Sequence, residues 1–137
     1  MQIFKVVVLS ILCFSCNTPD KLNTELTGTI WECKITVDCI NTYRFMTDST
    51  FRFLSCEMQD EYFGDYYFKD GFLMIDQKGS IYKNELAKNS LDNSERKLYK
   101  VRITGNKLKH ESVSDWINGN WIESDFKFDI NYLYQRK

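Results

Sequence analysis

Long apolar segments, proline and histidine are scarce in this chain of 137 residues. The longest mostly apolar run, Val6–Phe14, has nine residues, whereas a helix that crosses a bilayer needs about 20. The net charge is −1 and no basic patch or stripe stands out, so the composition does not favour binding to nucleic acid. The single histidine, and the absence of Cys-x-x-Cys after residue 16, exclude the usual zinc-ligand spacings, and we predict neither a metal nor a cofactor. One proline and 27% charged residues argue against disorder, so one compact domain is expected.

The first sixteen residues have the parts of a secretory signal. Lys5 precedes the apolar run, and the small residue Ser15 lies directly before Cys16. This arrangement resembles the signal of bacterial lipoproteins, in which the cysteine at the cleavage site is acylated, with palmitate for example, and becomes the first residue. The resemblance implies a signal peptide over 1–15 and lipid attachment at Cys16. Cleavage without lipidation is the alternative, because Cys13 makes Cys16 one of two cysteines in this segment.

The residues after Cys16 predict a tether between the lipid and a folded domain. Residues 16–25 are polar and contain the only proline, Pro19, which favours a short flexible link to a domain over 26–137. By resemblance to Gram-negative sorting signals, Asn17 after the cysteine implies the outer membrane. We therefore expect a protein of the cell envelope, facing the periplasm or the cell surface, whose membrane contact is the lipid alone.

Turn residues recur along the domain and predict β-hairpins. Asp70-Gly71, Gly105-Asn106 and Asn118-Gly119 are two-residue sequences typical of type I′ or II′ turns, and Asp48-Ser49 is a weaker fourth. Between them lie short runs rich in β-branched and aromatic residues, which favour strands. The predicted strands are 28–37, 40–47, 50–57, 62–69, 72–77, 97–104, 107–117 and 120–135. We expect an all-β fold, with a loop over 78–96 that contains one helical turn near 84–87.

Two of these hairpins also show the alternation of a half-buried sheet. A two-residue turn in each places apolar residues opposite one another, and the charged residues of 100–111 fall on the other face. The predicted pairs on the apolar face are Phe68–Leu73, Tyr66–Ile75, Ile103–Leu108 and Val101–His110, with Tyr99 continuing that face.

The other two hairpins conflict with a simple alternation. A turn at Asn118-Gly119 sets Trp116 opposite Trp121, but the same register sends charged residues into the face that Phe126 and Phe128 should occupy. A β-bulge near 122–125, or a projecting hairpin tip, is expected to resolve this. A two-residue turn at Asp48-Ser49 likewise fails to place Tyr43 and Phe45 opposite Phe51 and Phe53.

Eight sequential antiparallel strands tend to close into a barrel, because closure removes the unpaired edges. The sequences Leu26–Trp31, Asp48–Phe51 and Gly64–Leu73 resemble the small lipocalin-like lipoprotein domains of Gram-negative bacteria over most of 26–136. Lipocalins carry Gly-x-Trp in the first strand, where this chain has Gly28-x-x-Trp31, and their tryptophan packs under an arginine that would be Arg136 here. The resemblance implies an eight-stranded up-and-down barrel, lipocalin-like, that binds a small hydrophobic or amphipathic ligand.

The inward-facing residues supply a candidate ligand site. Bulky inward side chains favour a packed interior, and a usable cavity is the alternative. His110 is followed at the same parity by Ser112 and Ser114, which could form a polar end that orients a ligand headgroup. A histidine near the barrel rim, hydrogen-bonded to a serine or to water, is the other interpretation. The proposed ligand-binding residues are Trp31, Tyr66, Phe68, Tyr99 and His110.

Catalysis and calcium binding have weaker support. Ser112, His110 and Asp115 could formally make a nucleophilic triad, but no Gly-x-Ser-x-Gly elbow accompanies them, so we predict that the protein is not an enzyme. The acidic residues of 60–70 lack EF-hand spacing and are expected in solvated turns.

A protein-interaction module is the alternative function, for example a periplasmic enzyme inhibitor or an envelope assembly factor that acts through loops of the barrel. In that case Trp116 and Trp121 would contact the envelope protein partner at a hairpin tip. A Trp pair that only stabilises its own hairpin is the competing interpretation.

Three cysteines follow Cys16 and leave three pairings open. The hairpin around Asp48-Ser49 brings Cys39 and Cys56 to diagonal positions, close to the limit of about 7 Å between Cα atoms, so this is the favoured disulfide. Cys33 shares the face of Trp31 and is expected to be buried as a small apolar residue.

Overall fold

The computed structural model describes residues 25–81 and 96–137, which form a closed antiparallel β-barrel. Strands β1 to β6 are neighbours in chain order, β6 pairs with β7, and β9 lies between β7 and β1 and closes the barrel. The remaining strand, β8, pairs with the end of β7 beyond the barrel. The strands are β1 (Ile30–Thr36), β2 (Cys39–Phe45), β3 (Thr50–Ser55), β4 (Asp60–Lys69), β5 (Phe72–Ile81), β6 (Lys97–Thr104), β7 (Lys107–Ile117), β8 (Asn120–Glu123) and β9 (Leu133–Arg136).

The predicted all-β barrel of eight antiparallel strands is therefore confirmed, and it fits a lipocalin-like barrel. The signal peptide, Cys16 and the expected helical turn near 84–87 lie outside the described residues. Strand β5 continues to Ile81, so the prediction that a loop begins at residue 78 is wrong. A β-bulge in the β4–β5 pairing lets β5 continue beyond residue 78 and remain paired with β4.

The two-residue turns form as the sequence predicts. Both central residues have positive φ at Asp70-Gly71 (52° and 78°) and at Asn118-Gly119 (50° and 81°), as a type I′ turn requires. At the third turn Gly105 has φ +60° as the first central residue, which is the type II′ arrangement. The pairs predicted from these turns are confirmed, including Tyr66–Ile75, Val101–His110 and Trp116–Trp121.

The β2–β3 hairpin has a three-residue loop, so the prediction of a two-residue turn there is wrong. The amide of Met46 donates to the carbonyl of Thr50 (2.8 Å), and Ser49 has φ +62°, which is the left-handed residue of such a loop. The extra residue shifts the register by one. Phe45 then lies opposite Phe51, and Tyr43 lies opposite Phe53, which resolves the conflict seen in the sequence.

The predicted strand over 120–135 is also wrong, and a break replaces the expected bulge. Strand β8 ends at Glu123, β9 begins at Leu133, and residues 124–132 leave the sheet. A continuous strand would have buried charged side chains on the core face. The break instead leaves Phe126 and Ile130 exposed (58% and 77%) while Tyr134 is buried.

One end of the barrel, which we call the closed end, is filled by apolar side chains. It comprises residues 25–29 and the turns at 46–49, 70–71 and 105–106. Leu26 is buried here, the hydroxyl of Tyr66 donates to the carbonyl of Met46 (3.1 Å), and the indole of Trp31 donates to Thr29 Oγ1 (2.8 Å). Because the buried polar atoms of these two large rings are hydrogen-bonded, the end closes without an unsatisfied phenol or indole. The core at this end includes Leu26, Trp31, Phe45, Phe51, Tyr66, Leu73, Val101 and Leu108.

Gly64 allows β4 and β5 to approach closely at their bulge. A Cβ at this position would lie 1.9 Å from the carbonyl oxygen of Asp76 and 3.0 Å from the ring of Phe51. Since the nearer atom belongs to the backbone, the clash is relieved only by moving a strand.

We expect Gly64→Ala to lower the free energy of unfolding by about 1–3 kcal/mol, because the added methyl group separates β4 from β5. Urea denaturation followed by circular dichroism measures the change. Lys69→Ala, an exposed substitution at the end of the same strand, serves as the control and should change stability by less than about 0.5 kcal/mol. Equal effects of the two substitutions would contradict the close approach.

Candidate functional site

The opposite end, which we call the open end, contains a cavity of about 580 Å³. This end comprises the turn at 37–38 and residues 56–59 and 124–132. The volume lies within the range of about 300–1,000 Å³ that is usual for small-molecule sites. The expectation of a packed interior is therefore correct for the closed end and wrong for the open end. Near the open end the inward-facing residues include Asn41, Ser55 and Gln77. Near the closed end the same strands carry the larger side chains of Phe45, Phe51 and Leu73.

Aromatic rings form a large part of the cavity wall. Tyr43 lies near its centre, with its ring centroid 4.4 Å from Phe53 and 5.0 Å from Tyr134. Such pairs add about 0.5–1.5 kcal/mol to the free energy of burying the rings, so the contacts between the rings stabilise the wall. The aromatic residues of the wall include Tyr43, Phe53, Tyr62, Tyr99, Phe128 and Tyr134.

His110 is a buried titratable group of the cavity. It is 6% exposed, and its Nε2 lies 3.0 Å from the hydroxyl of Tyr43. Phe128 stacks on the imidazole at 4.8 Å, and Tyr99 meets it edge to face at 5.3 Å. Burial lowers the pKa of His110 from 6.5 to about 4, because the charged ring loses its hydration, so the imidazole is neutral at pH 7.

The phenols around His110 are also kept in their neutral form. Burial raises the pKa of Tyr43, Tyr99 and Tyr134, and the neighbouring phenols and carboxylates add to the shift. Each therefore offers a hydroxyl that can both donate and accept a hydrogen bond at any physiological pH.

A disulfide and a carboxylate hold the loop at one side of the open end. Cys39 and Cys56 are joined with their Cα atoms 5.4 Å apart, which ties the start of β2 to the residue after β3. The amide of Cys56 donates to Asn41 Oδ1 (2.9 Å), and Asn41 in turn donates to Glu57 (3.2 Å). The hydroxyl of Tyr132 also donates to Glu57 (2.8 Å), so the loop after β3 and residues 124–132 are connected across the mouth.

The structure separates the five ligand-binding residues proposed from sequence. Tyr99 and His110 line the cavity. Trp31 and Tyr66 lie in the core of the closed end, and Phe68 is partly buried against that core. Alternation identifies side chains that point inwards, but it does not give their depth along the barrel axis.

Sequence reasoning missed Tyr43, Phe53, Tyr62 and Tyr134, which line the cavity. Strand direction was the signal that could have found them. In an up-and-down barrel, the last residues of one strand and the first residues of the next meet at the same end. Tyr134 was also assigned to the wrong strand, because the break at residues 124–132 was not predicted.

The predicted polar end formed by Ser112 and Ser114 is wrong. The register of β6 and β7 shifts between His110 and Ser112, so that Ser112 lies opposite Lys100 on the outer face. Val113 then faces the cavity in place of a serine, and the hydroxyl that bonds His110 belongs to Tyr43. The same shift puts Ser112 and His110 on opposite faces of the sheet. Asp115 pairs with Lys97 at 2.5 Å near the mouth.

Trp116 and Trp121 pack against an arginine as well as against each other. Their rings meet edge to face at 4.9 Å, and the guanidinium of Arg96 lies 4.4 Å from Trp116 and 5.1 Å from Trp121. The pair is half-buried. This geometry favours stabilisation of the hairpin over a free contact at its tip. Arg136 is opposite Trp31 in the β1–β9 ladder, but its side chain is exposed.

Comparison of the chain with protein-family models, with curated proteins and with solved structures finds no match. Over residues 25–81 and 96–137, no three His, Cys, Asp or Glu side chains are grouped as metal ligands. Within the same ranges, no helix has the length and hydropathy to cross a membrane.

The burial of His110 makes stability depend on pH in a predictable direction. Between pH 6.5 and pH 4 the unfolded histidine takes up a proton that the folded ring does not, so stability falls as the pH is lowered through this window. We expect the wild type to lose about 2–3 kcal/mol more than His110→Phe between pH 7 and pH 4.5. Urea denaturation of both proteins at the two pH values measures the difference. Since His110 is the only histidine, parallel losses would rule out a buried neutral imidazole.

Proposed function

We propose that this protein is a lipid-anchored envelope protein that binds a small amphipathic molecule in the cavity at the open end of its barrel. The observation that carries the proposal is the cavity itself, about 580 Å³ in volume, whose wall combines aromatic rings with a few buried polar groups, among them the pair of Tyr43 and His110. Small-molecule sites usually combine a largely apolar wall with a few placed polar groups. A ligand with an apolar body and one polar end matches that combination.

The positions of Phe126 and Phe128 support entry of a ligand into the cavity from the open end. Phe128 covers His110, and Phe126 lies 5.0 Å from Phe128 with 58% of its surface exposed. Both belong to the non-strand segment 124–132, which is held by β9 and by the bond from Tyr132 to Glu57. An apolar molecule that approaches the mouth therefore meets an exposed ring before it reaches the buried one.

The lipid anchor rests on the sequence before the barrel, and the length of the tether limits how far the barrel can lie from the membrane. Leu26 is buried in the closed end, ten residues after Cys16. A fully extended link of that length spans at most about 35 Å. An acyl group on Cys16 would therefore keep the closed end within about 35 Å of the membrane surface.

One observation favours docking of a protein partner as a second candidate function. Among the described residues, the six most exposed large apolar side chains all lie around the open end or on the β7–β8 hairpin beyond it. Exposed apolar groups concentrated in one region are typical of interaction sites. These side chains are Val37, Met58, Ile117, Ile122, Phe126 and Ile130.

We expect ligand binding to be lost when the cavity is filled. Val113→Phe places a larger ring inside the cavity, whereas Lys109→Phe adds the same ring to the outer face of the same strand. Native mass spectrometry of the Cys16→Ser chain, isolated from an envelope extract, should show an adduct of lipid-like mass that Lys109→Phe retains and Val113→Phe loses. A bare mass, with no thermal shift across amphipathic probes, would favour the docking function instead.

We expect Cys16→Ser to release the folded protein from the membrane, because the lipid is the proposed anchor. Fractionation of cells by ultracentrifugation, followed by immunoblotting, measures the partition. Ser15→Ala retains a small residue before the cysteine and is the matched control, which should stay in the membrane fraction. Membrane retention of Cys16→Ser would contradict anchoring by the lipid alone.

A further inference from the structure

The buried pair of Tyr43 and His110 has hydrogen-bonding capacity left over. A neutral imidazole has one donor and one acceptor nitrogen, and a phenol can donate once and accept. If the hydroxyl of Tyr43 donates to Nε2, then Nδ1 keeps a proton to donate and the phenol oxygen can accept. If Nε2 donates instead, the phenol proton and the lone pair on Nδ1 are left. In either tautomer the pair retains one donor and one acceptor after its mutual bond of 3.0 Å.

The position of this pair determines which groups can use its remaining hydrogen-bonding capacity. His110 is 6% exposed and Tyr43 is 2% exposed, and both line the cavity. The pair is therefore suited to a polar group that enters the cavity and can both donate and accept.

The charges around the cavity determine which polar groups fit. The imidazole is neutral, and Lys97 and Lys127 are the lysines that line the cavity among the described residues. Lys97 begins β6 at the mouth and is paired with Asp115, while Lys127 is exposed. A carboxylate placed against Tyr43 and His110 would thus be buried without a counter-charge, which is strongly unfavourable. A hydroxyl or a primary carboxamide carries no charge and offers both a donor and an acceptor.

We propose that the cavity selects uncharged molecules with a hydroxyl or carboxamide end, and that Tyr43 and His110 bind that end while the aromatic wall contacts the apolar body. This selectivity rests on the proposed ligand-binding function and excludes fatty-acid anions as the preferred ligands. The two residues act as positioning groups for the ligand's polar end, and no bond is made or broken.

A set of probes with one apolar body tests the selectivity. Isothermal titration calorimetry at pH 7.5 on the Cys16→Ser chain compares 4-butylbenzyl alcohol and 4-butylbenzamide with 4-butylbenzoate and with 4-butyltoluene, which has no polar end. We expect the alcohol and the amide to bind at least about tenfold more tightly than the benzoate. Tighter or equal binding of the benzoate would overturn the proposed selectivity while leaving ligand binding in place.

Two variants that keep the aromatic rings test the assigned residues. Tyr43→Phe and His110→Phe should each weaken binding of the alcohol about tenfold and leave 4-butyltoluene unaffected. Tyr67→Phe removes an exposed hydroxyl of β4 that does not line the cavity, and it should change neither. Thermal melts check folding, and Tyr43→Phe decides the matter if His110→Phe does not fold. Equal losses for the alcohol and for 4-butyltoluene would show altered packing and overturn the assignment. If no probe bound, the proposed function itself would be wrong.

Discussion

The hydrogen bond between Tyr43 and His110 joins opposite walls of the barrel, from β2 to β7, at the level where the packed core gives way to the cavity. The ring of Tyr43 stacks on Phe45 on one side, and it contacts Tyr134 of the closing strand on another. Rings hold the pair in place, and desolvation keeps the histidine neutral. The proposed preference of the cavity for uncharged groups depends on this one contact.

The two ends of the barrel differ because the inward side chains change size along the strands. Near the closed end β2 and β3 contribute Phe45 and Phe51, and near the open end they contribute Asn41 and Ser55. An eight-stranded barrel is just wide enough for large side chains to fill, so smaller ones leave space. The disulfide and the bonds to Glu57 then hold the loops around that space.

Most of the fold that could be predicted from the sequence follows from the residues at its turns. The positive-φ turns at Asp70-Gly71 and Asn118-Gly119 fix their registers, and the pairs beyond them followed directly. The errors arose where one residue is added or where tertiary contacts override alternation. The three-residue loop ending at Ser49 shifted β3 by one place, and the bulge after His110 turned Ser112 outwards.

The candidate site was less predictable than the fold, for a related physical reason. Alternation reports whether a side chain faces inwards, and it found His110 and Tyr99. The position along the barrel axis, which separates those two from Trp31 and Tyr66, depends on strand direction and closure. The strand break at 124–132, which brings Phe128 over His110, reflects the avoidance of buried charge and not a turn sequence.

The proposed site holds an uncharged amphipathic molecule at the open end, against Tyr43 and His110. A crystal structure of the Cys16→Ser chain grown with 4-butylbenzyl alcohol tests it most directly. We expect density for the butylphenyl group between the aromatic walls, and the probe's hydroxyl within hydrogen-bonding distance of Tyr43 Oη or His110 Nδ1. A cavity occupied by side chains of residues 124–132, or a probe bound elsewhere on the barrel, would contradict the account.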